Sequence, residues 1–323
     1  MSATAITGAT GFLGGALSRR LLARGSGVVA IGRDKEKLSA LGRLGAEAIG
    51  HDLAAGAPSR PNQTVDTVVH CAALSSAWGR FEDFRRANVE GTRSALQFAR
   101  LTGARRFVHI STPSLYFRFQ DQPGVKEDAP LPRPVNAYAA TKRTAEELVL
   151  AEEDLDVIIL RPRGLYGRGD TALLPRLLRA AAGGPLPLIR EGGAQTDLTH
   201  VEDVVDAVLA ACRAPSGLPG KIFNVSGGEA LPVKRIAESA ASRAGMTIRW
   251  RKIPAELVFF AARLMEATAQ VHPRRPEPRV TAYGAGLFAY TQTLDISSAR
   301  THLGWQPRIS FDEGLERTFG SLA

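Results

Sequence analysis

The sequence predicts an α/β fold, a doubly wound parallel sheet joined to a smaller, mostly C-terminal α/β unit. Three observations predict it. A glycine-spaced turn, Thr7-Gly8-Ala9-Thr10-Gly11-Phe12-Leu13-Gly14, lies between a short apolar run, Ala3 to Ile6, and a segment of helical spacing, Phe12, Leu13, Ala16, Leu17, Leu21 and Leu22. Near-continuous apolar runs then alternate with helical segments as far as Arg161, the pattern of a parallel sheet covered on both faces. Beyond residue 165 proline and loop residues become dense, which marks a smaller unit able to close over the first.

In the opening turn, Gly8 permits the tight bend, Gly11 lets the backbone come close to a pyrophosphate, and Gly14 lets the helix pack against the strand. The free N–H groups at the start of that helix suit phosphate. Gly27 to Ile31 reads as a second strand ending at Gly32-Arg33, and Ala46 to Ile49 as a third ending at His51-Asp52-Leu53. Val65 to Cys71 is the fourth, followed by Ala72-Ala73. A helix is expected from Phe81 to Thr102, with Phe84, Ala87, Val89, Leu96 and Ala99 facing inward. Arg106 to Ser111 is the fifth strand, Pro113 to Pro134 a loop, Asn136 to Glu153 a helix, and Val157 to Arg161 the sixth strand.

The second half is less regular. A helix is expected from Leu173 to Ala182, then strands Asp197 to Val201 and Lys221 to Val225 around a helix Val201 to Cys212. Pro232 to Ala244 is another helix, and an apolar helix from Ala255 to Val271 stands among Pro254, Pro273, Pro276 and Pro278. Short helices Ile296 to Leu303 and Phe311 to Gly320 close the chain. The expected division sets residues 1–165, with 195–226 returning to them, against 166–194 and 227–323.

The 323 residues are 44% hydrophobic and 23% charged, the balance of an ordinary globular protein. No secretory leader and no apolar run of about 18 residues is expected. Cys71 and Cys212 are isolated within apolar runs, which points to a reducing cytoplasm and inert thiols, and no metal site is expected. The net charge is +9, yet no basic run carries interleaved aromatics, so nucleic acid is not expected as a partner. The densest basic stretch, Arg249 to Arg279, surrounds the apolar helix. That helix is compatible with a place on the inner face of a membrane, with a cover over a greasy substrate, or with a solvated face beside a buried stripe.

Tyr138-Ala139-Ala140-Thr141-Lys142 lies inside the Asn136 helix, so Tyr138 and Lys142 share one face. A phenol titrates near 10, and a neighbouring ammonium favours its phenolate, so such a pair makes an acid/base unit. It stands one loop after the fifth strand, where doubly wound folds collect ligands.

With these residues in view, the chain resembles the extended short-chain dehydrogenase/reductases. Thr7 to Gly14 matches their TGxxGFxG, Ala72-Ala73 the segment over the cofactor, and Asn88 to Thr92 their NVxGT. Ser111 to Tyr116 matches the hydroxyl-rich end of the fifth strand, Tyr138 and Lys142 the YxxxK, Arg161 to Gly167 the RPxxxYG, and Asp197 to Asp203 the D-x-x-H-V-x-D. The resemblance implies a Rossmann fold, with Tyr138 as general acid in reduction and Lys142 binding the nicotinamide ribose while lowering the phenol's pKa. It aligns Thr112 with the hydroxyl that holds the substrate oxygen, Ser111 or Ser114 being substitutes, and leaves Asn88 structural. Cofactor contacts are expected from Gly8, Thr10, Gly11, Phe12, Leu13, Gly14, Arg33, Asp52, Leu53, Ala72, Ala73, Tyr138, Lys142, Pro162, Arg163 and Gly164. Arg33 at the end of the second strand favours NADP(H) through a 2′-phosphate, whereas Asp34 turned inward would favour NAD(H).

Within that family the chain is most similar to the 3β-hydroxysteroid dehydrogenase-like branch and, more narrowly, to bacterial 2-alkyl-3-oxoalkanoate reductases of long-chain olefin biosynthesis. The stretches Ala72 to Gly79, Ser111 to Phe117 and Asn136 to Lys142 carry that likeness. It implies an NADPH-dependent reduction of a long-chain 2-alkyl-3-keto acid, an apolar and anionic small molecule. Leu257 to Val271, with Phe259, Phe260, Leu264 and Met265, is a candidate lid for alkyl chains, and nearby arginines suit a carboxylate. A sterol dehydrogenase, a sugar-nucleotide epimerase or dehydratase, and a non-catalytic NADP-binding sensor stay open, although Phe117 stands where sugar-nucleotide enzymes carry glycine. A homodimer and association with pathway enzymes also stay open.

Overall fold

The structure is a computed structural model that describes residues 2–273 and 275–320. β1 (Ala3–Thr7) runs into the glycine turn, and α1 (Phe12–Ala23) starts at Gly11. Gly8 has φ +67°, and a Cβ there would lie 2.7 Å from the Ala72 nitrogen. A Cβ on Gly14 would run into the Gly8 carbonyl, so α1 can sit this close to the turn only with glycine there, while Gly8 lets the turn approach the main chain of Ala72.

β2 (Val28–Gly32) is followed by α2 (Lys35–Arg43), β3 (Glu47–Gly50) and β4 (Val65–His70). The continuous helix expected over 81–102 is instead three pieces: α3 (Phe81–Phe84), a wide π turn over Arg85–Glu90, and α4 (Gly91–Thr102). The wide turn carries Asn88, whose amide bonds both main-chain groups of Leu74 and the Thr141 hydroxyl. Single π turns inside helices are frequent at functional sites.

β5 (Arg106–Ile110) leads into residues 113–134, expected as loop. They contain a 3₁₀ turn at Pro113–Leu115 and a strand, β6 (Gln122–Val125). α5 (Ala137–Leu150) is capped by Asn136, which accepts from the Ala139 N–H, and β7 (Asp156–Pro162) follows.

After β8 (Leu165–Tyr166) come α6 (Leu173–Ala182), β9 (Leu186–Leu188), β10 (Gln195–Thr196), β11 (Thr199–His200) and α7 (Val201–Arg213). Then follow β12 (Ile222–Val225), β13 (Leu231–Pro232), α8 (Val233–Arg243), β14 (Trp250–Lys252) and α9 (Ala255–Val271). The last elements are α10 (Ala282–Ala289), β15 (Gln292–Leu294), α11 (Ser297–Leu303) and α12 (Phe311–Phe319).

The main sheet is parallel throughout, in the order β12-β7-β5-β4-β1-β2-β3. One face packs Leu13, Leu17, Val204 and Val208 from α1 and α7; the other packs Ala95, Phe98 and Val149 from α4 and α5. The chain winds outward from β1 to β3 and then returns to β4 on the other side of β1, which makes a crevice at that switch point. The strand expected over 197–201 is only two residues long and pairs with β8 outside the main sheet. A second sheet, β13-β10-β15-β6, takes β6 from the first 165 residues.

One buried ion pair fixes α5 on the sheet. Arg161, on β7, forks onto Glu146 of α5 through Nε and a terminal nitrogen, at 2.8 and 2.5 Å. Its other terminal nitrogen donates to the Tyr116 hydroxyl, and Tyr116 donates in turn to Asn224 of β12. Removing one partner of a buried pair leaves an uncompensated charge. Glu146→Leu is therefore expected to lower the unfolding free energy by about 3–5 kcal/mol in urea melts, and adding Arg161→Met is expected to recover most of that loss.

Candidate active site

The carboxyl ends of β1, β4 and β5 lie side by side, so the glycine turn, Ala72-Ala73 and Ser111-Thr112 meet at one edge of the sheet. Among the described residues no side chain caps α1, so its first N–H groups stay open to an anion. Phe12 and Thr10 flank that end half-buried, while Leu13 and Leu53 turn into the core and leave only their main chain. Ala73 is exposed beside the turn. Asp52 caps the short turn Leu53–Ala55 by accepting from the Ala54 N–H at 3.1 Å.

Arg33 is exposed at the end of β2, and no side chain among the described residues pairs with it. Asp34 is committed elsewhere. It caps α2 by accepting from the Lys37 N–H and lies 3.4 Å from the Lys37 ammonium, contacts that pull its pKa down.

Pro162, Arg163 and Gly164 prove to be tied into the fold. The Arg163 guanidinium donates to Thr196 and to Gln292 Oε1, its N–H to the Val225 carbonyl, and its own carbonyl accepts from the Thr199 hydroxyl. Gly164 accepts from the Thr199 N–H, and Pro162 is buried on β7. The Arg163 side chain thus joins the end of β7 to the second sheet.

Tyr138 stands in the first turn of α5 with its hydroxyl between Ser75 and Thr112. Burial pushes the phenol up, and those two hydroxyls oppose the shift. This differs from the expectation that Lys142 lowers it. Lys142 is buried and turned to the sheet, donating to the Ile110 carbonyl at 2.7 Å and meeting His109 Nε2 at 2.9 Å. An ammonium has only protons to give, so His109 accepts there and carries its own proton on Nδ1. Burial pulls the Lys142 pKa down to about 8, against the attraction of Glu146 one helical turn away. His109 stays neutral because burial and the facing Lys142 both disfavour its cation.

Thr112 caps the 3₁₀ turn, accepting from the Ser114 N–H at 3.1 Å, and donates to Ser114 Oγ at 3.0 Å. Ser114 meets the Tyr283 hydroxyl at 2.8 Å, so a row of hydroxyls runs from Tyr138 to α10. Sequence reasoning missed Ser75, His109 and Tyr283. Only the last lies far off in the chain, 169 residues from its partner, and no local pattern marks it.

From Tyr283 an aromatic wall leads away. Phe117 packs edge-on against Tyr283 at 5.1 Å and against Phe119 at 5.4 Å. Phe119 meets Phe259 of α9 at 5.6 Å, and Phe259 stacks on Tyr290 at 6.1 Å. The expected lid is therefore divided. Phe259 faces inward and Met265 is half-buried, but Phe260 and Leu264 point to the surface, and Arg263 and Arg279 are exposed.

Ser111 Oγ and Asn136 Nδ2, both buried at this edge, have no hydrogen-bond partner among the described residues. With the uncapped α1 and the glycine cradle, they fit a dinucleotide. Cys71 and Cys212 are half-buried, and desolvation pushes both thiols up to about 12. Among the described residues no cluster of His, Cys, Asp and Glu could hold a metal. A cleft of about 370 Å³ lined by Arg105, Asp156, Ser216 and Lys221 lies at the opposite edge of the sheet, away from Tyr138.

Residues 4–226 match the NAD dependent epimerase/dehydratase family. The chain is 34% identical to the uncharacterized protein YbjS of Escherichia coli (strain K12), across 97% of this chain and 95% of that one. It is 32% identical to a 2-alkyl-3-oxoalkanoate reductase of Stenotrophomonas maltophilia (strain K279a), across 98% of each. Among solved structures it is similar to MoeE5 in complex with UDP-glucuronic acid and NAD, with a TM-score of 0.73, 28% identity and 98% of each chain covered. The glycine cradle, the Tyr138–Lys142 helix and these matches make the chain a member of the NAD dependent epimerase/dehydratase family, the extended short-chain dehydrogenase/reductases, and an NAD(P)-dependent oxidoreductase.

Proposed function

We propose that the protein reduces the 3-keto group of a long-chain 2-alkyl-3-keto acid to the 3-hydroxy acid, with NADPH as reductant. The observation that carries this reading is the aromatic wall, which begins beside Thr112 and Tyr138 and continues through Phe117, Phe119 and Phe259. A wall of that kind suits an alkyl chain and offers little to a sugar's hydroxyls. Phe117, buried within this wall, stands where the sugar-nucleotide enzymes of the family carry glycine. The likeness to the reductase of Stenotrophomonas maltophilia supports the same substrate class.

Bound nicotinamide would supply the hydride to C3, or take it in the reverse direction. The protein's part is the proton and the charge. Tyr138, a phenol protonated at neutral pH, gives its proton to the alkoxide that would form on hydride transfer. Thr112 swings its hydroxyl from Ser114 to the same oxygen, and a donor aimed where charge develops is usually the largest catalytic contribution. Lys142, fixed by the Ile110 carbonyl and His109, would hold the nicotinamide ribose with its remaining proton. Arg33, without a side-chain partner among the described residues, supports NADPH, since Asp34 is already engaged as the α2 cap.

The reading is tested by following reduced-nicotinamide absorbance with a long-chain 2-alkyl-3-keto acid. Turnover with NADPH is expected, and Tyr138→Phe is expected to lower kcat by about 10²–10⁴-fold. No turnover by protein that binds NADPH would overturn the substrate class. In the same assay kcat/KM for reduction is expected to fall as the pH rises through about 8, where Lys142 loses its proton. Arg33→Ala is expected to weaken NADPH binding about 10- to 100-fold in fluorescence titrations and to leave NADH nearly unchanged. Equal losses for both cofactors would remove the argument for a 2′-phosphate site.

A further inference from the structure

α9 packs one side and leaves the other apolar in water. Val258, Ala262 and Ala269 are buried, and Phe259 joins the aromatic wall. The opposite side carries Leu257 at 60% exposure, Phe260 at 68%, Leu264 at 56% and Val271 at 85%, with Ala261 and Ala267 between them, also exposed. Steps of three, four and seven residues align these side chains in one stripe along the helix. Glu256 and Arg263 stand at its border, and no charged residue interrupts it. A helix that merely covers a core carries its charges on that side.

The surroundings are basic. Residues 249–279 hold seven Arg and Lys against three Glu. Two of those glutamates are engaged, Glu277 with Arg176 and Glu266 with the Ala282 N–H. Arg249, Arg251, Lys252, Arg263 and Arg279 are exposed, and among the described residues none of them is in an ion pair. An apolar stripe framed by unneutralised cations is poorly suited to a second copy of itself, because the two basic frames would face one another. It suits a surface whose outer layer is anionic and whose next layer is hydrocarbon.

We propose that α9 docks this protein on an anionic lipid bilayer, with Leu257, Phe260, Leu264 and Val271 at the boundary of headgroups and acyl chains. Phosphates of the headgroup layer then neutralise the flanking arginines and Lys252. The docking is peripheral, since no helix among the described residues is long and apolar enough to cross a membrane. It does not depend on the substrate assigned above. If that assignment holds, the docked helix is also the start of the wall that leads through Phe259 and Phe119 to Tyr138, so an apolar substrate could enter from the bilayer.

The test is co-sedimentation of the full chain with vesicles of phosphatidylcholine alone, or of phosphatidylcholine with phosphatidylglycerol. Binding to the phosphatidylglycerol vesicles is expected, about tenfold or more above that to phosphatidylcholine alone, and reduced by salt. The double variant Phe260→Ser, Leu264→Ser is expected to lose about tenfold in vesicle binding while keeping its affinity for NADPH in solution, which shows that it is folded. Absence of binding to the anionic vesicles overturns the proposal, as does equal binding by the folded variant. A solution dimer that the same variant dissociates would assign the stripe to a second copy and overturn it as well. Keto-acid turnover in detergent-free buffer is scored separately, so failure of the docking and failure of the substrate class remain distinct.

Discussion

The buried fork of Arg161 on Glu146 is the interaction on which the site depends. It joins β7 to α5 where neither side chain meets water, and it extends through Tyr116 and Asn224 to the turn after β5 and to β12. Every one of these groups pays for its desolvation with a partner, so their relative positions are fixed. Tyr138 and Lys142 ride on the same helix as Glu146, and Thr112 sits at the start of the turn that ends at Tyr116. A shift of α5 against β5 would therefore break the ion pair and separate Tyr138 from Thr112 together. Stability and the geometry of the candidate site share one network.

The wide π turn at Arg85–Glu90 has a comparable role on the other side of α5. Asn88 reaches from it to Leu74 and Thr141, which ties the loop carrying Ser75 to the helix carrying Tyr138. Lys142 is held from below by Ile110 and His109. Three separate elements thus position the phenol and the ammonium before any ligand arrives, which is how an active site avoids reorganising during the reaction. What closes the front is α10, through the contact of Tyr283 with Ser114.

The parts of the site that follow from local chemistry were legible in the sequence. Gly8 and Gly14 announce a turn and a close helix because no other residue fits there. Tyr138 and Lys142 announce a shared helix face by spacing alone. Arg33 and Asp34 pose the cofactor question, and the Lys37 contacts that decide the fate of Asp34 lie only three residues on. The rest required the folded chain. Tyr283 and the second sheet come together over long separations. The π turn differs from an α-helix by a single extra residue per turn, which hydrophobic spacing does not resolve. The apolar residues of α9 read as one lid, yet the helix divides them between the wall and the surface, because Phe259 and Phe260 are about 100° apart around its axis.

The central claim is that the aromatic wall selects an apolar chain for reduction at Tyr138. The most direct measurement is kcat/KM with NADPH for a series of 2-alkyl-3-keto acids of increasing chain length. Each methylene buried along the wall is worth up to about 0.8 kcal/mol, so a rise of about three- to fourfold per methylene is predicted until the wall is filled. A flat dependence on chain length, or turnover of UDP-sugars in preference to every keto acid, would contradict the account.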